Sequence, residues 1–431
     1  MRPHTPLYCV LLTILCTPVL LFSQNSSTDT ISGIFKEPLL FTEVNPLHSF
    51  GIFTLDAPLY VGTFKEKGGR FSAGYSMGNT WHPQATVYYP KGLTPNQRTE
   101  VNNLFYTKRP AYFEEHSIET ETKTLSTDGI LQNLNLSYLL QLERKGAFLF
   151  TLNTHLLSGG DFPLFYLAGD HFIEQFHDVL GQVDNFGRRL YPSNKAHIEF
   201  IDENKNTIRI NKGDAFLGTL DTHYWLPIWR KSTPLAFYTL QGGAHLGIPL
   251  NSYYPKVSGG VSAALFTRQQ IGGKTTLDIA LDGLVTHHSL ISLKETANII
   301  DRDVRNSFKF YFGFNFYNPK KDKTFFAGML TNYQDAYLKG SIFSTSQDEY
   351  QDLGVSYLRA GDVWEGEEIT SSYFPLTKLT PASMYFFSIK TYILLGTRTK
   401  NGDFTFTLGE DILSVNNAPD IQYGVSYTFK M

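Results

Sequence analysis

The chain has 431 residues, of which 15% are aromatic and only 18% are charged. Its formal net charge of −3 excludes the strongly basic surface of a nucleic-acid-binding protein, so we expect no nucleic-acid partner. After residue 24 no stretch is apolar and long enough for a transmembrane helix, although the chain can bury a large core or close a wide sheet.

The first 24 residues have the pattern of a secretory signal peptide. A short basic start precedes the apolar run 7–22, and the small residue Ser23 stands where a signal peptidase would cut. We therefore expect export, with cleavage near Ser23 and Gln24. Both cysteines, Cys9 and Cys16, lie in this segment, so the mature chain should contain no disulfide and no cysteine metal site.

After the signal peptide, residues 25–44 are predicted to form a flexible leader. Asn45-Pro46-Leu47 then marks a turn ahead of a first strand candidate at about 50–63. The next candidate, 71–81, alternates large apolar residues with Ser and Gly, as the wall of a barrel does. Residues 82–110 break this rhythm and are predicted to contain a short helix that begins near Thr94-Pro95.

From about residue 111 onward, short segments alternate apolar and polar residues and are separated by turn signals. These further strand candidates are 134–142, 148–152, 214–227, 234–248, 256–268, 273–286, 306–317, 323–332, 335–343, 350–360, 383–396 and 403–411. In the sharpest of them, five phenylalanines at alternate positions from Phe308 to Phe316 share one face. Such a row would promote aggregation in water, but it suits a surface that contacts lipid.

The last eleven residues, 421–431, show the same pattern at the end of the chain. Ile421, Tyr423, Val425, Tyr427 and Phe429 fall on one face, and polar or small residues fall on the other. This pattern fits the closing strand of a transmembrane barrel. Taken alone, the segment is equally compatible with the half-buried last strand of a soluble sandwich.

Connection lengths favour the barrel. Outer-membrane barrels have short periplasmic turns and longer external loops. The predicted periplasmic turns are all short and lie near 144–146, 229–233, 269–272, 318–322, 345–349 and 397–402. The predicted external connections include the long ones at 158–213, 287–305 and 361–382. Residues 82–110 are long for a periplasmic turn, and 333–334 is tight for an external one. We predict an all-β fold, a transmembrane antiparallel β-barrel of about 12–16 strands in one domain, 45–431.

The irregular stretch 158–190 is the candidate functional loop. Residues 170–180 are predicted to form a short amphipathic helix, capped by an aspartate and stopped by a glycine. Its polar face and the arginines after it give the candidate residues Asp170, Glu174, His177, Asp178, Arg188 and Arg189. Three interpretations are open: a docked helix with a solvated polar face, a charged constriction of a pore, and a metal or acid–base site.

This stretch also carries a resemblance to a known family. It resembles the signature of bacterial outer-membrane proteins that are grouped only as a domain of unknown function. The residues that carry the resemblance are Gly159, Gly160, Asp170, Ile173, Phe176, His177, Gly181, Gly187 and Arg188. Weaker matches lie at 45–47, 213–214, 409–411 and 418–420. The resemblance implies an outer-membrane barrel and implies no activity.

Other polar residues give weaker signals. Asp278, Asp282 and Lys309 alternate with apolar residues and are predicted to face the lumen, as is Lys430. The pair His287-His288, with aspartates at 301 and 303, lacks the ligand spacing of a metal site. We therefore expect neither a metal nor a cofactor.

The resulting functional hypothesis is a porin-like channel or facilitator for small solutes in the outer membrane of a Gram-negative bacterium. The alternatives are an enzyme in the barrel that acts on lipid or envelope glycan through His177, and a structural or adhesive barrel. An occluded lumen would favour these alternatives. The expected partners are outer-membrane lipid and the barrel-assembly machinery, which would bind the C-terminal strand.

Overall fold

The computed structural model describes residues 39–41, 51–62, 67–90, 120–143, 145–159, 197–335, 337, 341–344, 387–410 and 421–431. Within these ranges the regular structure is almost entirely strand, with one short 3-10 turn at Gly51–Phe53. No helix in this part of the chain is long and apolar enough to cross a membrane. The predicted helices at 94–105 and 170–180 lie outside the described residues.

The strands are numbered in chain order. They are β1 (Leu39–Phe41), β2 (Leu59–Val61), β3 (Gly68–Pro90), β4 (Thr120–Leu142), β5 (Gly146–Ser158), β6 (His197–Ile201), β7 (Thr207–Asn211), β8 (Ala215–Ser232), β9 (Ala236–Pro249), β10 (Lys256–Gly272), β11 (Thr275–Ser292), β12 (Val304–Asn318), β13 (Lys323–Asp335), β14 (Ser341–Ser344), β15 (Phe387–Arg398), β16 (Gly402–Glu410) and β17 (Ile421–Lys430).

Twelve of these strands form a closed antiparallel barrel, which confirms the predicted fold class. Their order around the wall is β3, β17, β16, β15, β13, β12, β11, β10, β9, β8, β5 and β4, and β4 pairs with β3 to complete the ring. The last strand thus pairs with the first strand of the wall, Gln422 lying opposite Gly78 and Lys430 opposite Arg70. A closed sheet leaves no wall edge with unpaired backbone groups, as lipid requires.

The two faces of the wall differ as the alternation predicts. On β12, Phe308 is 58% exposed, whereas its neighbour Lys309 is 1% exposed and turned inward. Phe310 and Phe316 are exposed on the outer face, and Tyr311 is buried on the inner face. A surface of exposed phenylalanine, leucine and valine around a closed sheet is the arrangement of a membrane-spanning barrel.

The connections sort by length onto the two ends of the barrel. At one end, here called the turn end, successive strands are joined by 143–145, 233–235, 273–274, 319–322 and 399–401. These lie at or next to five of the six predicted periplasmic turns, although residues 269–272 belong to β10 and residues 229–232 to β8. At the other end, here called the loop end, the connections are mostly longer, and the longest of them are 159–214 and 336–386.

The sixth predicted turn, 345–349, is wrong. Strand β13 pairs directly with β15 along the wall, so 335–343 is not a wall strand, and 350–360 lies outside the described residues. Residues 341–344 form β14, which pairs with β3 instead. Strand β3 runs on to Pro90, so the connection 91–119 lies at the loop end and the apparent misfit of 82–110 disappears.

The predicted wall strand at 50–63 is also wrong. Residues 51–53 form the 3-10 turn, and 59–61 form β2, which pairs with β1 in a separate two-stranded sheet. Strand β1 falls within the predicted leader 25–44. An apolar run alone does not tell a residue that faces lipid from one that is buried inside a barrel.

A small sheet extends the wall beyond the loop end. Strand β14 pairs with β3 at 85–88, and β6 pairs with β4 at 124–128, with β7 beside β6. Ile198, Phe200, Ile208 and Ile210 of this hairpin are buried in a cluster over the loop end. The hairpin turn is tied to the loop 293–303, where the Asn298 backbone N–H donates to Asp202 at 3.0 Å.

If the outer face contacts lipid, the cost of placing a charge on it should depend on its depth in the membrane. Phe312 lies near the middle of the apolar band and Phe316 lies two residues from the turn end of β12. We expect Phe312→Arg to lower the free energy of unfolding in lipid vesicles by about 2–4 kcal/mol, and Phe316→Arg by at most about 1 kcal/mol. Urea titrations measure this, with Phe312→Leu and Phe316→Leu as controls for the lost ring. Equal costs at the two depths would contradict the assignment of this face to lipid.

The hydrogen bonds of the Asp202 carboxyl predict that the stability of the contact between the hairpin turn and the loop 293–303 depends on pH. Burial raises its pKa, but hydrogen bonds from the Asn298 backbone, from the side chain and backbone of Asn206 and from the Asn204 backbone outweigh this, so the pKa is lowered. A lowered pKa stabilises the folded form above the unfolded value of about 4, and this contribution is lost as the pH falls through the lowered value.

We therefore expect amides of 293–303 to be protected from hydrogen exchange at neutral pH and to lose protection in acid. Asp202→Asn should raise their exchange at neutral pH about tenfold, because it removes a charge-assisted acceptor. Asp214→Asn is the matched control, since the Asp214 carboxylate accepts hydrogen bonds from the backbone and side chain of Asn211, within its own turn. Unchanged exchange in Asp202→Asn would contradict this role.

Candidate functional site in the lumen

Residues 51–62, here called the lumen segment, lie inside the barrel. Every residue of the segment is buried except Asp56, which is of intermediate exposure. Its Phe53 end packs at the loop end of the barrel, and its Leu59 and Val61 pack on wall residues of the turn half. The chain then enters the first wall strand at Gly68, at the turn end. The segment therefore spans much of the length of the lumen.

At the loop end the segment is held by aromatic rings. The Phe53 ring stacks on Phe216 with the centroids 6.2 Å apart, and it lies edge-on to Phe200 at 6.4 Å. Tyr253 and Tyr254 lie at 6.2 and 6.4 Å. Aromatic pairs in these arrangements contribute about 0.5–1.5 kcal/mol each beyond their buried area. This aromatic cluster fixes the outer end of the segment.

In the middle the segment is held by one cation. The Lys309 ammonium donates to the Ala57 carbonyl oxygen at 2.5 Å and lies 3.4 Å from an Asp56 carboxylate oxygen. Asp282 is directly opposite Lys309 on the neighbouring strand. One inward lysine of the wall therefore binds the carboxylate and the backbone of the segment, and a wall aspartate lies opposite it on the next strand.

At the turn half the contacts are again aromatic and apolar. The Tyr60 ring lies 4.7 Å from the ring of Trp225, centroid to centroid, and the Gln241 side chain donates to the Tyr60 carbonyl oxygen. Leu59 and Val61 pack in a cluster that includes Phe237, Phe266, Tyr311, Phe326 and Tyr392. The segment's apolar side chains thus meet inward-facing apolar side chains at this level.

Two wall glycines make room for the segment. A Cβ on Gly247 would lie 3.0 Å from the Cβ of Leu55 and 2.9 Å from a carboxylate oxygen of Asp221. A Cβ on Gly218 would lie 3.3 Å from the Ile52 carbonyl oxygen. The wall therefore lacks side chains at two points where the segment approaches its backbone.

Elsewhere the inner face of the wall is strongly polar. The His223 and His245 rings are joined by a contact of 3.1 Å between their Nδ1 atoms. The side-chain polar atoms of Asn133 and His155 and one carboxylate oxygen of Asp221 are buried and make no hydrogen bond within the described residues. Buried polar atoms of folded proteins are usually paired, so a wall with several unpaired ones is suited to contact water or a polar solute.

Near the turn end four charged side chains from adjacent strands face inward. The Asp403 carboxylate lies 3.6 Å from Arg70, 3.5 Å from Arg398 and 3.5 Å from Lys430, measured from nitrogen to oxygen. These four residues are called the turn-end charge cluster. A separate buried ion pair joins β10 to β11, where Arg268 donates two hydrogen bonds, of 2.7 and 2.6 Å, to the Asp278 carboxylate.

The structure gives positions to only some of the predicted site residues. It places Asp278, Asp282 and Lys309 on the inner face, and brings Asp282 and Lys309 together. The six candidate residues of the functional loop fall outside the described residues: Asp170, Glu174, His177, Asp178, Arg188 and Arg189.

The predicted external connection 287–305 begins too early, because His287 and His288 lie on β11 and the connection is 293–303. This part of the barrel is a structural junction. Asp301 binds Lys123 of β4, and Asp303 accepts a hydrogen bond from the Ser289 hydroxyl at 2.7 Å. His288 is buried beside the Tyr337 ring. Among the residues the structure describes, no group of three or more His, Cys, Asp or Glu could hold a metal ion.

The lumen segment is the feature that the sequence prediction missed. One signal was available, because Pro58 stands inside the run 50–63 and lacks the N–H that a central strand needs. The acidic residue Asp56, two positions earlier, is also unusual within an apolar run. No local signal identifies the turn-end charge cluster, because its members come together only when the barrel closes.

Comparison with known proteins gives distant likenesses only. No family model matches the chain, so its resemblance to the uncharacterised family stays a prediction. No curated protein matches it either. Among solved structures it is similar to an outer-membrane channel from Pseudomonas putida F1, with 11% identity over 86% of this chain and 100% of the other and a TM-score of 0.36.

Two further solved structures are similar at the same low level. The NanC porin has 8% identity over 70% of this chain and 94% of its own, with a TM-score of 0.32. The β domain of the Bordetella autotransporter BrkA has 6% identity over 85% of this chain and 100% of its own, with a TM-score of 0.32. Likenesses this distant carry no argument about function.

The central contact predicts that Lys309 retains the lumen segment. In Lys309→Met, the Asp56 carboxylate would remain inside the barrel without its cation, which costs about 3–5 kcal/mol for a buried pair. We expect the segment to leave its site more often. A Thr54→Cys reporter, buried in the folded protein, should then react at least about tenfold faster with a water-soluble maleimide, since a factor of ten needs only about 1.4 kcal/mol.

The matched control is Lys231→Met, which removes an exposed lysine of β8. It should leave the labelling rate of the Thr54→Cys reporter unchanged. Equal labelling of the reporter with and without Lys309 would show that this lysine does not hold the segment.

Proposed function

We propose that the protein is an outer-membrane channel for small polar solutes, closed by its own lumen segment. The turn end is then periplasmic and the loop end external, following the usual sorting of turns and loops in such barrels. In this proposal the C-terminal strand β17 is the part that the barrel-assembly machinery binds, and outer-membrane lipid surrounds the phenylalanine-rich outer face.

The observation that carries the proposal is the way the lumen is filled. The middle of the barrel is occupied by a chain segment that joins the wall through 63–67. Lys309 binds its central part, the Gln241 side chain donates to the Tyr60 carbonyl oxygen, and β1 pairs with its β2 part. A wall of twelve strands stays closed when such a segment moves, because its own hydrogen bonds do not involve the segment. Movement of the segment would uncover a polar inner face.

Occlusion alone would favour an enzyme or a structural barrel over an open pore. The nature of the occluding part favours a closed channel, since a wall packed shut by its own side chains would have no separate part to move. His177, the residue on which the enzyme alternative depends, lies outside the described residues, so that alternative stays a prediction.

A structural or adhesive role is the second candidate, and one observation favours it. The sheet of β14, β3, β4, β6 and β7 extends the wall beyond the loop end and is tied down there, for example by Lys123 with Asp301 and Glu203. A built external surface of this kind can bind a partner. It does not require solute passage, so conductance separates the two candidates.

A reversible lock tests the channel. Leu55→Cys with Gly247→Cys places two Cβ atoms about 3.0 Å apart before relaxation, close to the range of about 3.5–4.5 Å in disulfides. In planar bilayers we expect rare openings of the wild type and at least about tenfold more in Lys309→Met. In Lys309→Met with both cysteines, the openings should disappear on oxidation and return on reduction.

The variants with one cysteine are the controls, and their openings should not respond to the reductant. Silence of Lys309→Met and of the reduced locked variant would overturn the channel and favour the structural role. Openings that persist in the oxidised variant would show that ions do not pass by way of the lumen segment.

A further inference from the structure

The turn-end charge cluster is assembled by strand register. Arg398 of β15 lies opposite Asp403 of β16, and Lys430 of β17 lies opposite Arg70 of β3. On these strands the neighbours Phe404 and Phe429 are exposed on the outer face, so the four charged side chains point to the lumen. The four residues come from four adjacent strands and form a continuous charged arc at one mouth of the barrel.

The ion pairs that Asp403 makes within the arc are long. All three distances from nitrogen to the Asp403 carboxylate exceed the usual 2.7–2.9 Å of a charge-assisted hydrogen bond. One carboxylate oxygen of Asp403 and the Nε of Arg398 are buried and make no hydrogen bond within the described residues. By contrast, Arg268 and Asp278 meet at 2.6–2.7 Å in the same barrel.

Arg398 is the member of the arc that points most clearly to a ligand. Its side chain is only 9% exposed, and its guanidinium lies over the Phe326 ring at 5.1 Å. A buried guanidinium that offers an unpaired N–H is costly unless an anion completes its hydrogen bonds. Lys430, 21% exposed and anchored by a 2.9 Å hydrogen bond to the Thr399 carbonyl oxygen, borders the open side of the arc.

We propose that the turn-end charge cluster is a binding site for small carboxylate or phosphate anions. The planar fork of an arginine matches two oxygens of such an anion, and the lysine adds a compact positive charge. Asp403 lies between the cations, and its carboxylate contacts the same nitrogen atoms that the anion would contact. The carboxylate of Asp403 therefore competes with the ligand.

The chemistry of this site indicates which class of solute the proposed channel would carry. Solutes that carry a carboxylate or phosphate group would meet the arc at the periplasmic mouth, just below the lumen segment. Binding at the arc is independent of passage, whereas the identification of these anions as the transported class rests on the proposed function.

The experiment measures binding of inorganic phosphate and of acetate to the full chain in detergent, by isothermal titration calorimetry at constant ionic strength in chloride. We expect binding by the wild type. Arg398→Gln should weaken it at least about tenfold, because it removes the charge-assisted hydrogen bonds that the guanidinium would donate to the anion. Asp403→Asn should strengthen it several-fold, because the competing carboxylate is gone.

Arg230→Gln is the matched control, since Arg230 is an exposed arginine near the turn end of β8, away from the arc. It should bind like the wild type. If Arg398→Gln does not fold, Lys430→Gln takes its place, with a loss of affinity expected. No phosphate or acetate binding by the wild type and by Asp403→Asn would overturn the proposal. The proposal would also be overturned if Asp403→Asn folds but binds phosphate no more tightly than the wild type. The Asp403 carboxylate would then be structural and would not compete with the anion.

Two further arms separate the sources and the functions. In nanodiscs, phosphatidic acid in place of a neutral lipid should leave the affinity for inorganic phosphate unchanged, because the arc faces the lumen. If phosphatidic acid displaced the phosphate, the site would belong to a lipid headgroup and the proposal of a site for small anions would be overturned. Phosphate binding by a protein that stays silent in bilayers would keep the site and refute the channel. Conductance without phosphate binding would support the channel and refute the anion site.

Discussion

The structure depends on the pairing of backbone hydrogen-bonding groups in a solvent that offers none. A sheet in hydrocarbon can satisfy its N–H and C=O groups only by closing, and here closure joins β17 to β3. The same pairing sets the register of the whole wall, and with it the side of the wall on which each residue lies. The rows of phenylalanine on the outside and the aspartates, lysines and arginines on the inside are two results of one constraint.

Closure with twelve strands creates a second requirement. A barrel of this size is wider than its own inward side chains can fill, and here the middle is filled by 51–62. Gly218 and Gly247 leave space for the backbone and side chains of that segment. The interior therefore combines two kinds of contact: aromatic packing at both ends of the segment, and a single lysine with its aspartates between them.

Local sequence predicted what local patterns can determine. Alternation around Lys309 gave the two faces of β12, and connection lengths gave the two ends of the barrel. The same alternation failed at 50–63 and 335–343, because a side chain that faces lipid and one that packs inside a barrel are equally apolar. The cluster of Arg70 with Arg398 could not be predicted, since the two residues are 328 positions apart in the chain and only closure brings them together.

The order of the chain has a consequence for how the molecule is made. The lumen segment precedes every strand of the wall, and the strand that completes the ring is the last one. Residues 51–62 are therefore synthesised before any wall strand. When β17 pairs with β3 and completes the ring, it can enclose a segment that is already in place.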